Sequence, residues 1–145
     1  KLIPNTYTLN GFLPYCSTIE EGSEMIKYMK SLSVNPNVQT YNALLSLSKN
    51  DNDKNIILQK MSEQNIEPNL VTFNTLISRT NDYKSAINYY SELKSKRLKP
   101  TINTFVTLLK KTTNTKEIIE LEKYLNSENI NTNNAWNNLL RQKRF

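Results

Sequence analysis

The side chains with the most chemical potential in this sequence are amides that recur at a fixed interval, Asn10, Asn42 and Asn74 standing 32 residues apart. Each belongs to a largely polar stripe. In successive copies it reads Tyr7, Asn10, then Leu13 or Pro14; Gln39, Asn42, Ser46; Val71, Asn74, Ser78; and Asn103, Val106, Lys110. A carboxamide carries both a hydrogen-bond donor and an acceptor, so a row of them suits the edge of a nucleobase. The plainer reading is that asparagine is abundant here and fills solvent positions. Other chemistry has little raw material. The chain has no His and a single Cys, Cys16, which leaves nothing for a zinc centre, a His-based acid–base pair or an internal disulfide. The run from Asn50 to Asn55 has the polarity of a calcium loop without its central Gly and closing Glu. The sequence therefore reads as a binding segment, not an enzyme, with no cofactor.

Charge points the same way. The net charge is +6 and the pI about 9.4, which favours a polyanionic partner. All acidic residues fall outside the segments that carry the amides. Those segments contribute Lys49, Arg79, Lys110, Lys111, Arg141, Lys143 and Arg144 instead. Cations at the end of a helix also suit its dipole, which is the structural explanation for them. The dipole does not account for the missing acids, whereas a phosphate backbone lying along the surface does.

The elements that must position these residues are set by a repeat. Ile66 to Ile77 returns upstream as Val34 to Leu45 and downstream as Leu98 to Leu109, with Pro36, Pro68 and Pro100 in register; Leu2 to Leu13 makes a fourth copy, marked by Pro4. A fifth copy, Ile130 to Leu140, needs one deleted residue to align Trp136 and Leu139-Leu140. This gives units 6–37, 38–69, 70–101 and 102–132, with a partial unit 133–145. In each, apolar residues at the first, fourth, seventh and eighth places form a helical stripe: Val38, Tyr41, Leu44, Leu45; Leu70, Phe73, Leu76, Ile77; Ile102, Phe105, Leu108, Leu109. Polar clusters at Ser48 to Asp53, Arg79 to Asp82 and Lys111 to Thr115 predict turns before a second helix. Asp53 and Asp82 are candidate caps, and Thr18 with Glu21 has the spacing of a capping box. Gly22, Lys54, Ala86 and Ile118 share one place in the second helices, where a small residue would allow close helix approach. The expected fold is all-α, a right-handed α-solenoid of about four and a half helical hairpins, each burying its apolar face on its neighbours. The first copy begins inside a unit and the last lacks a second helix, so a longer array is expected. Arg141 to Phe145 should fray, and no apolar run approaches membrane-spanning length.

Val38-Gln39-Thr40-Tyr41-Asn42-Ala43-Leu44-Leu45 and Leu70-Val71-Thr72-Phe73-Asn74-Thr75-Leu76-Ile77, with the boundary Ile66-Glu67-Pro68-Asn69, resemble pentatricopeptide repeats. That family of helical hairpins binds single-stranded RNA. The units here are a few residues shorter than its usual repeat, as if a turn of the first helix were missing. The resemblance implies one base per repeat, read by the fifth residue together with the last residue before the next unit. The pairs would be Asn10 with Asn37, Asn42 with Asn69, Asn74 with Thr101, and Val106 with Asn133 (or Thr132), with Tyr7, Gln39, Val71 and Asn103 flanking the bases. Asn at the fifth place implies pyrimidines, and Val106 implies poor reading. Lys49, Arg79, Lys110 and Lys111 are the expected phosphate contacts. The resemblance also implies a mitochondrial or other organellar role in RNA processing, stability or translation, with further proteins of an RNA-processing or ribosomal complex as partners. The alternatives are a tetratricopeptide-like protein scaffold and the substrate-binding part of a larger RNA enzyme.

Overall fold

The computed structural model describes residues 3–143; Leu2, Arg144 and Phe145, on which parts of the sequence reading fall, lie outside the described residues. Among the described residues the chain forms helices α1 (Thr6–Asn10), α2 (Ile19–Ser31), α3 (Val38–Leu45), α4 (Asp51–Glu63), α5 (Leu70–Ser78), α6 (Tyr83–Ser95), α7 (Ile102–Lys111), α8 (Thr115–Ser127) and α9 (Asn134–Gln142), with one 3-10 turn (Leu13–Tyr15) and no strand. Odd-numbered helices are the first helices of the repeats. They are short, at 8 to 10 residues in α3, α5 and α7, against 13 in every even-numbered helix. The first helix is thus the shorter of the two in these repeats.

Helix starts are written by single polar residues. Thr18, Asn50, Asp82 and Asn114 cap the second helices, each accepting from the backbone N–H three residues on. A side-chain cap of this kind contributes about 1 kcal/mol. In three of these helices the third residue is acidic and reaches back past the cap: Glu21, Asp53 and Glu117 accept from the N–H groups of Ser17, Lys49 and Thr113 at 2.6, 2.9 and 2.6 Å. This corrects the place of Asp53, which lies inside α4 while Asn50 caps it. The turns also prove shorter than the polar clusters, since Asp51 to Asp53, Lys111 and Thr115 are already helical. Pro14 interrupts the first repeat's helix, so Phe12 is 52% exposed although its counterparts Leu44, Leu76 and Leu108 are buried.

Helix ends repeat just as strictly. Ser33, Asn65, Arg97 and Asn129 adopt left-handed φ values of 54 to 59°. After α2, the Ser33 N–H donates to the Lys30 carbonyl and the Val34 N–H to the Met29 carbonyl; Asn65 and Ile66 do the same to Ser62 and Met61. These paired bonds close the last turn and drop Val34 onto Met29 and Leu9. The sequence reading saw the aliphatic residue and the proline but not the strained residue before them, because none of the four is glycine.

The chain divides into two compact units, Lys1–Thr75 and Leu76–Phe145. In the first, Leu13, Tyr41, Leu44, Leu45, Ile57 and Met61 are buried. Gly22 is needed there for space: a Cβ would lie 2.5 Å from Leu44 Cδ1 and 3.3 Å from Leu47 Cδ1. At the corresponding place Lys54 is 2% exposed, with its stem in the core and its ammonium on Asp51 at 2.6 Å. The second unit packs Ile77, Ala86, Tyr90, Phe105, Leu108, Leu109, Ile118, Leu121, Leu125 and Trp136. Its α9 is capped by Asn133, three residues before Trp136, whereas Thr101 stands four before Phe105. The deletion in the fifth copy therefore falls between cap and aromatic. α9 runs to Gln142, so Arg141 and Gln142 belong to the helix and not to a frayed tail.

Candidate nucleic-acid interface

The conserved spacing of Asn and Thr within this chain builds a closed hydrogen-bond ring at two places. Asn37 caps α3. Its N–H donates to Thr40 Oγ1 (3.0 Å), and the Thr40 N–H donates to Asn37 Oδ1 (3.1 Å). Because Thr40 Oγ1 is already accepting, its own proton goes to Asn10 Oδ1 at 2.7 Å, and Asn10 Nδ2 returns a bond to Asn37 Oδ1 at 3.2 Å. One repeat later Asn69, Thr72 and Asn42 make the same ring at 3.0, 3.0, 2.6 and 3.2 Å. Backbone N–H groups cannot reverse, so they fix which end of each amide is oxygen.

The rings decide what the row can offer. The oxygens of Asn10, Asn37, Asn42 and Asn69 are turned inward and engaged, while Asn37 Nδ2 and Asn69 Nδ2 bond to no other described residue. The amide hydrogens left over are donors, the complement of an acceptor such as a carbonyl oxygen or a ring nitrogen. The sequence reading missed Thr40 and Thr72, which it took only as middling helix formers; both are 0% exposed. The signal was present as Asn-x-x-Thr. The expectation of an open row also needs correction at Asn42, which is 8% exposed because Thr72 holds it in.

The other expected residues divide. Tyr7 (83% exposed), Val71 (57%), Gln39 and Asn103 project into solvent beside the amide positions. Asn74 Oδ1 is buried and has no partner among the described residues. Thr101 caps α7, and its N–H donates to Thr104 Oγ1 at 3.1 Å. Val106 is half-buried and packs against the second unit's core, so it leaves the polar row. Asn133 spends its oxygen on the Trp136 N–H at 2.9 Å. Lys49, Arg79 and Lys110 are exposed. Lys111 is not available in the same way: its ammonium donates to the carbonyls of Ser78 and Thr80 at 2.8 and 2.7 Å. Lys143 does the same to Lys110 and Thr112 at 2.9 and 2.6 Å. These two lysines close the C-terminal carbonyls of the preceding first helix, as the helix-dipole explanation requires. Among the described residues no group of acids and cysteine could hold a metal ion, and no helix is long and apolar enough to cross a membrane.

A pentatricopeptide repeat domain profile matches residues 20–51 and 56–115, well over half of the chain. The chain belongs to the pentatricopeptide repeat family. Its fold is similar to two solved structures of that family. One is the pentatricopeptide repeat protein PPR10 in complex with an 18-nt psaJ RNA element, at 24% identity and a TM-score of 0.71 over 97% of this chain. The other is the pentatricopeptide repeat domain of Arabidopsis thaliana protein-only RNase P 1 in complex with tRNA, at 17% identity and 0.68 over 97% of this chain and 81% of that one. This chain spans 22% of the length of PPR10. No curated protein sequence matches it. The likeness shows the fold of these pentatricopeptide repeats to be the helical-repeat solenoid.

Proposed function

We propose that this pentatricopeptide repeat array binds single-stranded RNA, with Asn10–Asn37 and Asn42–Asn69 each facing one pyrimidine. The observation that carries the reading is the pair of closed rings, which hold both amides of a pair in one orientation before any base arrives. Such preorganisation lowers the cost of binding. Tyr7, Gln39 and Val71 flank the bases. Val106 with Asn133 (or Thr132) gives little base discrimination, since Val106 offers no hydrogen bond. Lys49, Arg79 and Lys110 supply the sequence-independent part of the affinity, with Lys111 removed from that set. The segment binds and does not catalyse, and it serves RNA processing, stability or translation in an organelle; family membership and the RNA held by both structural neighbours support this.

Titrating short oligopyrimidine, oligopurine and duplex RNAs over a salt series tests the proposal. Pyrimidine single strands should bind tightest. Replacing Lys49 and Lys110 by Gln should weaken every single strand alike and flatten the log–log salt slope by roughly 0.7 per lost phosphate contact. Equal affinity for all three RNAs would overturn base reading and leave a protein scaffold of the tetratricopeptide kind as the better account.

A further inference from the structure

The second helices carry a site that RNA reading does not use. In the first unit α2, α4 and the aromatic of α3 border an open cavity of about 240 Å³ whose walls include Ile26, Lys30, Tyr41, Lys60, Glu63 and Gln64. Tyr41 is 1% exposed and lines this cavity, and its hydroxyl has no hydrogen-bond partner among the described residues. Burial and nearby Glu63 push the phenol above its ordinary pKa, which keeps it a donor. Lys30 and Lys60 form no ion pair among the described residues; Lys60 reaches only Ser23 Oγ, at 3.5 Å.

Two repeats further along the sequence, the same positions contain what is absent here. Within the second unit Tyr90 stands in the place of Ile26, Lys94 in that of Lys30, Phe105 in that of Tyr41, and Glu128 in that of Gln64. The Tyr90 ring fills the space, 5.6 Å from both Phe105 and Tyr124, and its hydroxyl donates to Glu128 Oε1 at 3.2 Å, the same oxygen that pairs with Lys94. A tyrosine hydroxyl and a lysine thus hold a carboxylate. The first unit keeps the hydroxyl and the lysine, moves the tyrosine onto the first helix, and has Gln64 at the place of Glu128 and Ile26 at that of the Tyr90 ring.

We propose that the α2–α4 cavity binds a carboxylate side chain of an acidic protein partner, in the place that Glu128 fills two repeats on. Tyr41 donates to the carboxylate, Lys30 and Lys60 neutralise it, and Ile26 with the Tyr41 ring receives its methylene stem. A singly charged group with an apolar stem fits better than a phosphate. Glu63 on the wall opposes a dianion, and the cavity offers no arginine fork or helix N-terminus to spread such charge.

The test is calorimetric titration, with amide NMR to locate binding, of an end-blocked hexapeptide alternating Glu and Ala, against its Gln counterpart, inorganic phosphate and an oligopyrimidine RNA. The Glu peptide should bind about tenfold tighter than the Gln peptide, the worth of a charge-assisted bond. Tyr41→Phe should fold normally, because Phe73 and Phe105 occupy the equivalent places, and should weaken the Glu peptide by about tenfold. Gln64→Glu should supply the carboxylate from within, abolish peptide binding and raise the melting temperature. Equal binding of the Glu and Gln peptides, or wild-type affinity in both variants, would overturn the proposal. So would displacement of the peptide by equimolar phosphate, which would make this a general anion site, or by RNA, which would assign the cavity to the nucleic-acid surface. RNA affinity unchanged in Tyr41→Phe, together with lost peptide binding, supports it.

Discussion

Asn10 and Asn42 sit in closed rings, whereas Asn74 has a buried oxygen with no partner and the next fifth-place residue, Val106, has turned toward the core. All four occupy the same place in the repeat. Within the first unit the ringed amides are followed by Asn37 with Thr40 and Asn69 with Thr72, whereas within the second unit Val106 is followed by Asn133 with Trp136. The contrast teaches that a base-reading amide is not specified by its own position. It is specified by the cap of the next repeat, whose backbone N–H groups set the direction of every bond in the ring.

The largest expected effect comes from breaking a ring at its hub. Thr72→Val keeps the shape but strips Asn42 Oδ1 and the Asn69 N–H of their partner, which should cost roughly 1–3 kcal/mol by urea denaturation. Pyrimidine preference at the second position should go with it. A variant of unchanged stability and preference would reduce the ring to ornament.

Next in size, Asn42→Ala should destabilise the protein more than Asn74→Ala by about 1 kcal/mol or more, because only the first removes satisfied bonds while the second also relieves an unpaired acceptor. Parallel melting curves decide it, and equal losses would show that ring closure adds nothing. Val106→Asn sharpens the comparison from the other side. Placing an amide against the second core should cost about 1 kcal/mol without conferring base preference, since Trp136 at the third helical position has no hydroxyl to hold it. A gain of pyrimidine selectivity there would show that the fifth residue suffices alone. Smallest is Arg97→Gly, at a left-handed φ of 58°. It should stabilise by about 0.5–1 kcal/mol and leave RNA affinity unchanged, serving as a control on the helix ends that all repeats share.

The repeat period, the two-helix unit and the buried stripe of Tyr41, Phe73 and Phe105 were legible in the sequence, because a solenoid's core depends on local periodicity repeated and not on distant pairing. The amides were legible too, as a row. The sequence left open whether Lys111 faced phosphate or helix end, whether Asp53 or Asn50 capped α4, and where the fifth copy lost its residue. Each of these turns on a shift of one or two residues or a few ångströms of side-chain reach, which periodicity does not resolve. The tertiary structure also decided the chemistry of the row itself. An amide read from sequence is both donor and acceptor; in the structure Thr40 and Thr72 of the neighbouring repeat engage the oxygens of Asn10 and Asn42 and leave amide hydrogens over. The reason is directional: backbone N–H groups at a helix start are fixed donors, and everything bonded to them must turn its acceptor inward.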